Sequence, residues 1–252
     1  DHTITANGDV RWFAPKVGAG AMAFDGTGDY FTVPDNTNWS VFSAGDRTFE
    51  GWFKLTDYSV AKCLFSQYED ASNKWEIAHN GAGGGASGLE FGLKSGGSWV
   101  ISSGYASSSA GGITDVNWHH IALVKSGTTY TMYLDGTALS NTVTTATTDE
   151  LSSVLYIGNN GAGGAEVEGY ADMIRISQRA RYTGSFTPST TAFTDDINTS
   201  LLLNADINQG TWNPDSSTGL AISTDSRMKF DGSGDYLSTA SSSDFGVGTG
   251  AF

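Results

Sequence analysis

The sequence predicts an all-β fold, a sandwich or barrel of short strands. Three observations predict it. Short stretches in which apolar and polar residues alternate recur along the chain. Turn formers separate them, with 33 glycines and many Ser, Thr, Asn and Asp residues but only 4 prolines. No stretch sustains the 3.6-residue period of a long helix. Evenly spaced short strands parted by tight turns read as a sandwich or barrel. At 38% hydrophobic and 12% aromatic, the 252 residues hold enough apolar material for the core of one large sandwich.

The strands follow in order. Thr48 to Leu55 places Phe49, Phe53 and Leu55 on one parity and Trp52 on the other. Trp118 to Lys125 alternates over several residues. Tyr130 to Leu134 runs into Asp135-Gly136, a strong hairpin signal. Val154 to Gly158 and Tyr170 to Ile176 are two further strands, and Ser200 to Asn204 another. Asn80-Gly81, Ser95-Gly96-Gly97, Ser126-Gly127 and Asn160-Gly161 mark turns. One short helical turn is expected at Gln178 to Arg181. Two Gly-rich loops, 81–88 and 158–164, neither end in Gly-Lys-Ser/Thr nor open a helix. They read as flexible connections rather than phosphate cradles. Thr187 to Asp196 has linker composition.

The chain also repeats itself. Phe24-Asp25-Gly26-Thr27-Gly28-Asp29-Tyr30-Phe31 returns as Phe230-Asp231-Gly232-Ser233-Gly234-Asp235-Tyr236-Leu237, an offset of 206 residues (from 24 to 230). That period is far above solenoid length and implies tandem whole domains. The expected organisation is a β-sandwich module over 1–198, its first strand missing, and the truncated start of a second copy over 199–252. Both ends read as cuts in a longer polypeptide. The segment Leu201-Leu202-Leu203 is expected in a strand that pairs with the first module, because an exposed apolar edge is unfavourable.

A net charge of -14 argues against binding nucleic acid, whose phosphates such a surface repels, and against docking on anionic lipid. No apolar run is long enough for membrane insertion. The single cysteine, Cys63, lies in an apolar stretch and reads as a small buried hydrophobe. Absence of an internal disulfide favours folding in a reducing compartment.

The ordered set Phe24-Asp25-Gly26-Thr27-Gly28-Asp29-Tyr30, Phe49-Glu50-Gly51-Trp52-Phe53, Trp118-His119-His120-Ile121-Ala122, Tyr133-Leu134-Asp135-Gly136, Tyr156-Ile157-Gly158 and Gly169 to Ile176 resembles the laminin-G-like, concanavalin A-like lectin/glucanase family. The segments Ala180 to Pro188 and Asn198 to Asn204 resemble tandem modules in structural proteins of tailed bacteriophages. The resemblance implies a concanavalin A-like jelly-roll sandwich of two antiparallel sheets in a virion surface or tail-fibre protein, assembled in a reducing bacterial cytoplasm. Its partners would be cell-surface glycans and other copies or virion proteins.

Members of this fold often hold one Ca²⁺ on the convex side, and the resemblance implies Asp25, Gly28, Asp29 and Asp172 as its ligands, hard oxygen donors that suit calcium. The alternative is that Asp25 and Asp29 form turns. Glucanases of the fold carry paired carboxylates on one strand as Glu-x-Asp-x-x-Glu, and no such segment occurs here. Glu166-Val167-Glu168 reads as loop, and Glu50 and Glu76 stand isolated. The adjacent His119 and His120 point to opposite faces of a strand and cannot share a metal. A non-catalytic, glycan-directed binding module is therefore expected; a purely architectural spacer and a degenerate glycoside hydrolase are the alternatives. Trp39, Tyr68, Trp75, Trp99 and Tyr105, with Asn73, Asn159 and Asn160, are the residue types a sugar site would use, but the sequence alone does not gather them into one.

Overall fold

A computed structural model describes residues 4–8, 10–18, 20–40, 45–81, 88–101, 112–144 and 150–205. The second occurrence of the Phe-Asp-Gly repeat, Tyr105 and most of the 81–88 loop lie outside the described residues. The strands are β1 (Thr5–Asn7), β2 (Arg11–Phe13), β3 (Ala21–Asp25), β4 (Tyr30–Val33) and β5 (Arg47–Leu55). β6 (Ala61–Tyr68), β7 (Lys74–Asn80), β8 (Leu89–Ser95), β9 (Ser98–Ile101) and β10 (His119–Ser126) follow. The last five are β11 (Thr129–Leu134), β12 (Thr137–Thr144), β13 (Leu155–Ile157), β14 (Glu168–Ser177) and β15 (Thr199–Leu203). Among the described residues the single helical piece is a 3-10 turn at Thr37–Trp39. Gln178 to Arg181, expected as a helical turn, is irregular because those side chains and carbonyls are spent on tertiary bonds: Thr48 donates to the Arg179 carbonyl and Gln178 donates to Asn38. No described helix is long and apolar enough to cross a membrane.

Two antiparallel sheets stack face to face, as expected. The seven-stranded sheet runs β1-β4-β13-β6-β7-β8-β9. The eight-stranded sheet runs β12-β11-β10-β5-β14-β3-β2, with β15 also on β14. β14 holds β5 along one side; on the other, β3 pairs with its first half and β15 with its second. Strand β15 is the expected Leu-rich segment, with Leu201 opposite Ile176 and Leu203 opposite Ile174.

Alternation puts Phe49, Phe53, Leu55, Ile121, Leu123 and Ile176 of one sheet against Phe65, Trp75, Ile77, Phe91, Leu155 and Ile157 of the other, all buried in one core. Gly51 breaks the row of large residues because a side chain there would meet the Ile174 methyl at 2.5 Å. Ile174 fills that space beside a bulge in β14, which lies between Asp172 and Arg175 in its pairing with β5. Asp135 and Gly136, both at positive φ, turn β11 into β12 as the dipeptide predicts. Cys63 is buried, and burial pushes its thiol pKa well up.

Candidate functional site

The four residues expected to hold calcium do not come together as one donor set. Asp25, Gly28 and Asp29 share the β3–β4 turn. Asp25 Oδ1 accepts the Thr27 N–H at 2.7 Å, Asp29 Oδ2 accepts the Asp25 N–H at 2.8 Å, and the Gly28 N–H goes to Glu166 at 3.0 Å. Asp29 is buried against Gly8, whose missing side chain makes room for it. Asp172 lies elsewhere. Asp25 pairs with Glu168, and Asp172 is four residues further along β14, roughly 13 Å away at strand rise. Its carboxylate accepts the N–H groups of Lys16, Val17 and Met173 at 2.8–3.0 Å, which pins the β2–β3 connection to the sheet. Among the described residues no three acidic, histidine or cysteine side chains are grouped to hold a metal.

The outer face of the eight-stranded sheet is covered by the chain itself. After β14, residues 178–198 cross that face before returning as β15. Tyr182 and Phe186 pack on Ala122, Val124 and Tyr133. Phe193 packs with Val17, Trp52 and Met173, so the segment read as linker is a strap. Beneath it Glu50, fully buried, accepts from Arg175 Nε at 2.8 Å and from the Tyr182 hydroxyl at 2.6 Å. His120 Nε2 lies 3.3 Å from the Glu50 oxygen that Tyr182 bonds, and the Arg175 guanidinium stacks 3.9 Å from the Phe193 ring centroid. Burial opposes the Glu50 charge. The nearby His120 imidazole, the Arg175 charge and the Tyr182 hydroxyl outweigh it, and the Glu50 pKa is lowered. Arg181 closes the strap on Asp196 through two 3.0 Å bonds, the first cause holding the Asp196 pKa at about 2. His120 faces this cluster while His119 bonds to Asp115 and Asp135, so the pair diverges as expected.

The outer face of the seven-stranded sheet is different. One cross-strand row reads Tyr156, Ser66, Glu76, Gly92 from β13 to β8. The next reads Tyr68, Lys74, Lys94, Trp99 from β6 to β9. Trp99 is 42% exposed. Its ring reaches over β8 because Gly92 has no side chain: a Cβ there would stand 3.2 Å from the indole. Lys74 and Lys94 lie 5.5 and 5.8 Å from the ring centroid, and Lys74 Nζ is 3.4 Å from Glu76. The 158–164 loop borders the far end. It is cross-tied rather than loose, with Asn159 and Asn160 accepting the N–H groups of Gly161 and Ala162.

Of the aromatic residues named from the sequence, the structure brings Tyr68 and Trp99 onto this face and buries Trp39 and Trp75 completely in the core. Asn73 is spent on the β6–β7 turn, where it bonds Asp70 and accepts the Gly96 N–H. Sequence reasoning missed Gly92, Lys74, Lys94 and Glu90. A cross-strand register was needed to see them together. Glu168 starts a strand rather than lying in a loop, and Glu50 is paired rather than isolated, because β5, β10 and β14 bring distant residues into one layer. Glu76 and Glu90 share the open face diagonally, roughly 7–8 Å apart at the backbone. Glu90 is only 5% exposed and accepts from Asn80 at 3.2 Å.

Residues 25–183 match the family model described as the concanavalin A-like lectin/glucanases superfamily. The comparison with curated proteins found no match. Among solved structures, domain 4 of AbnA, a GH43 extracellular arabinanase from Geobacillus stearothermophilus in complex with arabinotriose, is similar with a TM-score of 0.54 at 18% identity, covering 71% of this chain and 82% of that one. The binding domain of Paraclostridial Mosquitocidal Protein 1 gives 0.54 at 14% identity, covering 72% and 45%. The binding domain of Botulinum neurotoxin DC, in complex with rat synaptotagmin II, gives 0.51 at 13%, covering 72% and 44%. This chain thus spans under half the length of the last two. At these identities the likeness is one of fold.

Proposed function

This chain belongs to the concanavalin A-like lectin/glucanases superfamily, and from that premise we propose that it is a non-catalytic module that binds glycans on the outer face of its seven-stranded sheet. The observation that carries the reading is Trp99, a large aromatic held across the sheet over Gly92 and left 42% exposed beside Lys74, Lys94 and Glu76. An aromatic face gives a sugar ring an apolar platform, and flanking charged groups supply partners for its hydroxyls. Domain 4 of AbnA, similar in fold, is in complex with arabinotriose, which supports the fold's fitness for such a role. The setting proposed for the module, a repeated unit on a virion surface or tail fibre, rests on the 206-residue sequence repeat and the resemblance quoted with it.

The test is a glycan-array screen of the full chain beside Trp99→Ala. Specific binding that the substitution abolishes supports the reading. Binding unaffected by it moves the site elsewhere, and no binding to any glycan leaves the architectural role. A hydrolase reading has one observation in its favour, the Glu76/Glu90 diagonal, since paired carboxyls flank the bond in glycosidases. Release of reducing ends from a bound glycan, lost in Glu76→Gln, would establish it. The burial of Glu90 against Asn80 argues for binding without turnover.

A further inference from the structure

Lys74 and Lys94 stand directly opposite each other on β7 and β8. Like charges in that relation destabilise a sheet. The chain has only 13 basic residues against 27 acidic ones, so this pairing sets two of its few cations side by side. Neutralisation by the protein is incomplete. Lys74 Nζ has Glu76 at 3.4 Å. Lys94 Nζ donates to the Ala71 carbonyl at 2.7 Å, a bond that orients the ammonium without cancelling its charge. Asp70, which the Lys94 charge helps to keep ionised, points its carboxylate into its own turn, where it accepts the N–H groups of Ser72 and Asn73. Both ammonium groups flank the same half-exposed indole.

Resting on the glycan-binding reading, we propose that this strip selects acidic sugars: a carboxylate-bearing sugar ring stacks on Trp99 and places its carboxylate between Lys74 and Lys94. A bound carboxylate relieves the repulsion between the two ammonium groups. The row Tyr68, Lys74, Lys94, Trp99 spans three strand spacings, roughly 14 Å along the backbone, with Tyr68 at one end and the Trp99 ring leaning back over β8 at the other. That is longer than one sugar ring, so flanking units of an acidic oligosaccharide have an aromatic surface at the Tyr68 end as well.

The experiment is titration of the full chain with sialyllactose against lactose, and with oligogalacturonate against its methyl ester, by calorimetry at low and high salt. At least one acidic member is expected to bind about tenfold or more tightly than its neutral partner, with the preference shrinking in salt. In Lys74→Gln/Lys94→Gln the acidic-to-neutral affinity ratio falls toward one, while the melting temperature holds or rises because a repulsion is removed. Equal affinity for acidic and neutral partners overturns the acidic preference and leaves glycan binding standing. No binding of any of the four, together with a blank glycan array, overturns both. A sulfated sugar bound as tightly as the carboxylated ones overturns the carboxylate assignment in favour of any anion.

Discussion

Glu50 and Glu76 occupy outward-facing positions on the long central strands of their sheets, yet Glu50 has no exposed side-chain surface and Glu76 keeps 16%. The difference lies in what crosses each face. Over Glu50 the strap brings Tyr182, Phe186 and Phe193, and the carboxylate is enclosed with Arg175 and His120. Over Glu76 lies the rim of Trp99, with lysines that stay in reach of solvent. One sheet has used its outer face to fasten the chain's own C-terminal part; the other holds an aromatic ring in the open. An exposed large aromatic carries information because the fold has shown on its opposite side that it can cover such rings.

That contrast can be broken first at its buried end. Glu50→Gln removes the charge that compensates Arg175, and the expected loss is about 3–5 kcal/mol in urea-induced unfolding. A loss below about 1 kcal/mol would mean that the strap is not tightly closed. Phe193→Ala removes the ring under which Arg175 sits and is expected to cost about 3 kcal/mol, with earlier proteolysis near Asp196. Acid offers the same test without substitution. Because the Glu50 pKa is lowered in the folded state, its contribution is fully present above the unfolded carboxyl value of about 4.3 and is lost as pH falls through the folded one. Asp196 follows the same sign, losing its Arg181 contacts as pH approaches about 2. Stability should therefore drop below pH 4 in the native chain and drop less steeply in Glu50→Gln.

The open end sharpens the comparison through small stability effects and large binding ones. Gly92→Val lifts the indole off β8, and sugar binding should fall as far as in Trp99→Ala, although valine suits a strand. Trp99→Ala itself should change stability by no more than about 0.5 kcal/mol, as for other exposed positions. A larger loss would recast Trp99 as a structural residue. Adding a chelator should shift the melting temperature least of all, since the carboxylates of Asp25, Asp29 and Asp172 are held by backbone N–H groups. A shift of several degrees would show that the chain holds a stabilising cation.

Local sequence signals by themselves determined the all-β class, the parity of Phe49, Trp52, Phe53 and Leu55, the Asp135-Gly136 hairpin, the divergence of His119 from His120 and the strand at Leu201 to Leu203, which pairs with β14. These are local matters: a two-residue period, a dipeptide with positive φ and an apolar edge act within a few residues of themselves. Only the tertiary structure decided that Glu50 meets Arg175 from a strand 125 residues away, that a Ser/Thr-rich stretch folds down as a strap through Phe193, and that Trp99 finds its space over Gly92 between Lys74 and Lys94. Each depends on register between strands, which is set by packing over the whole core and leaves no mark at the spacing of neighbouring residues.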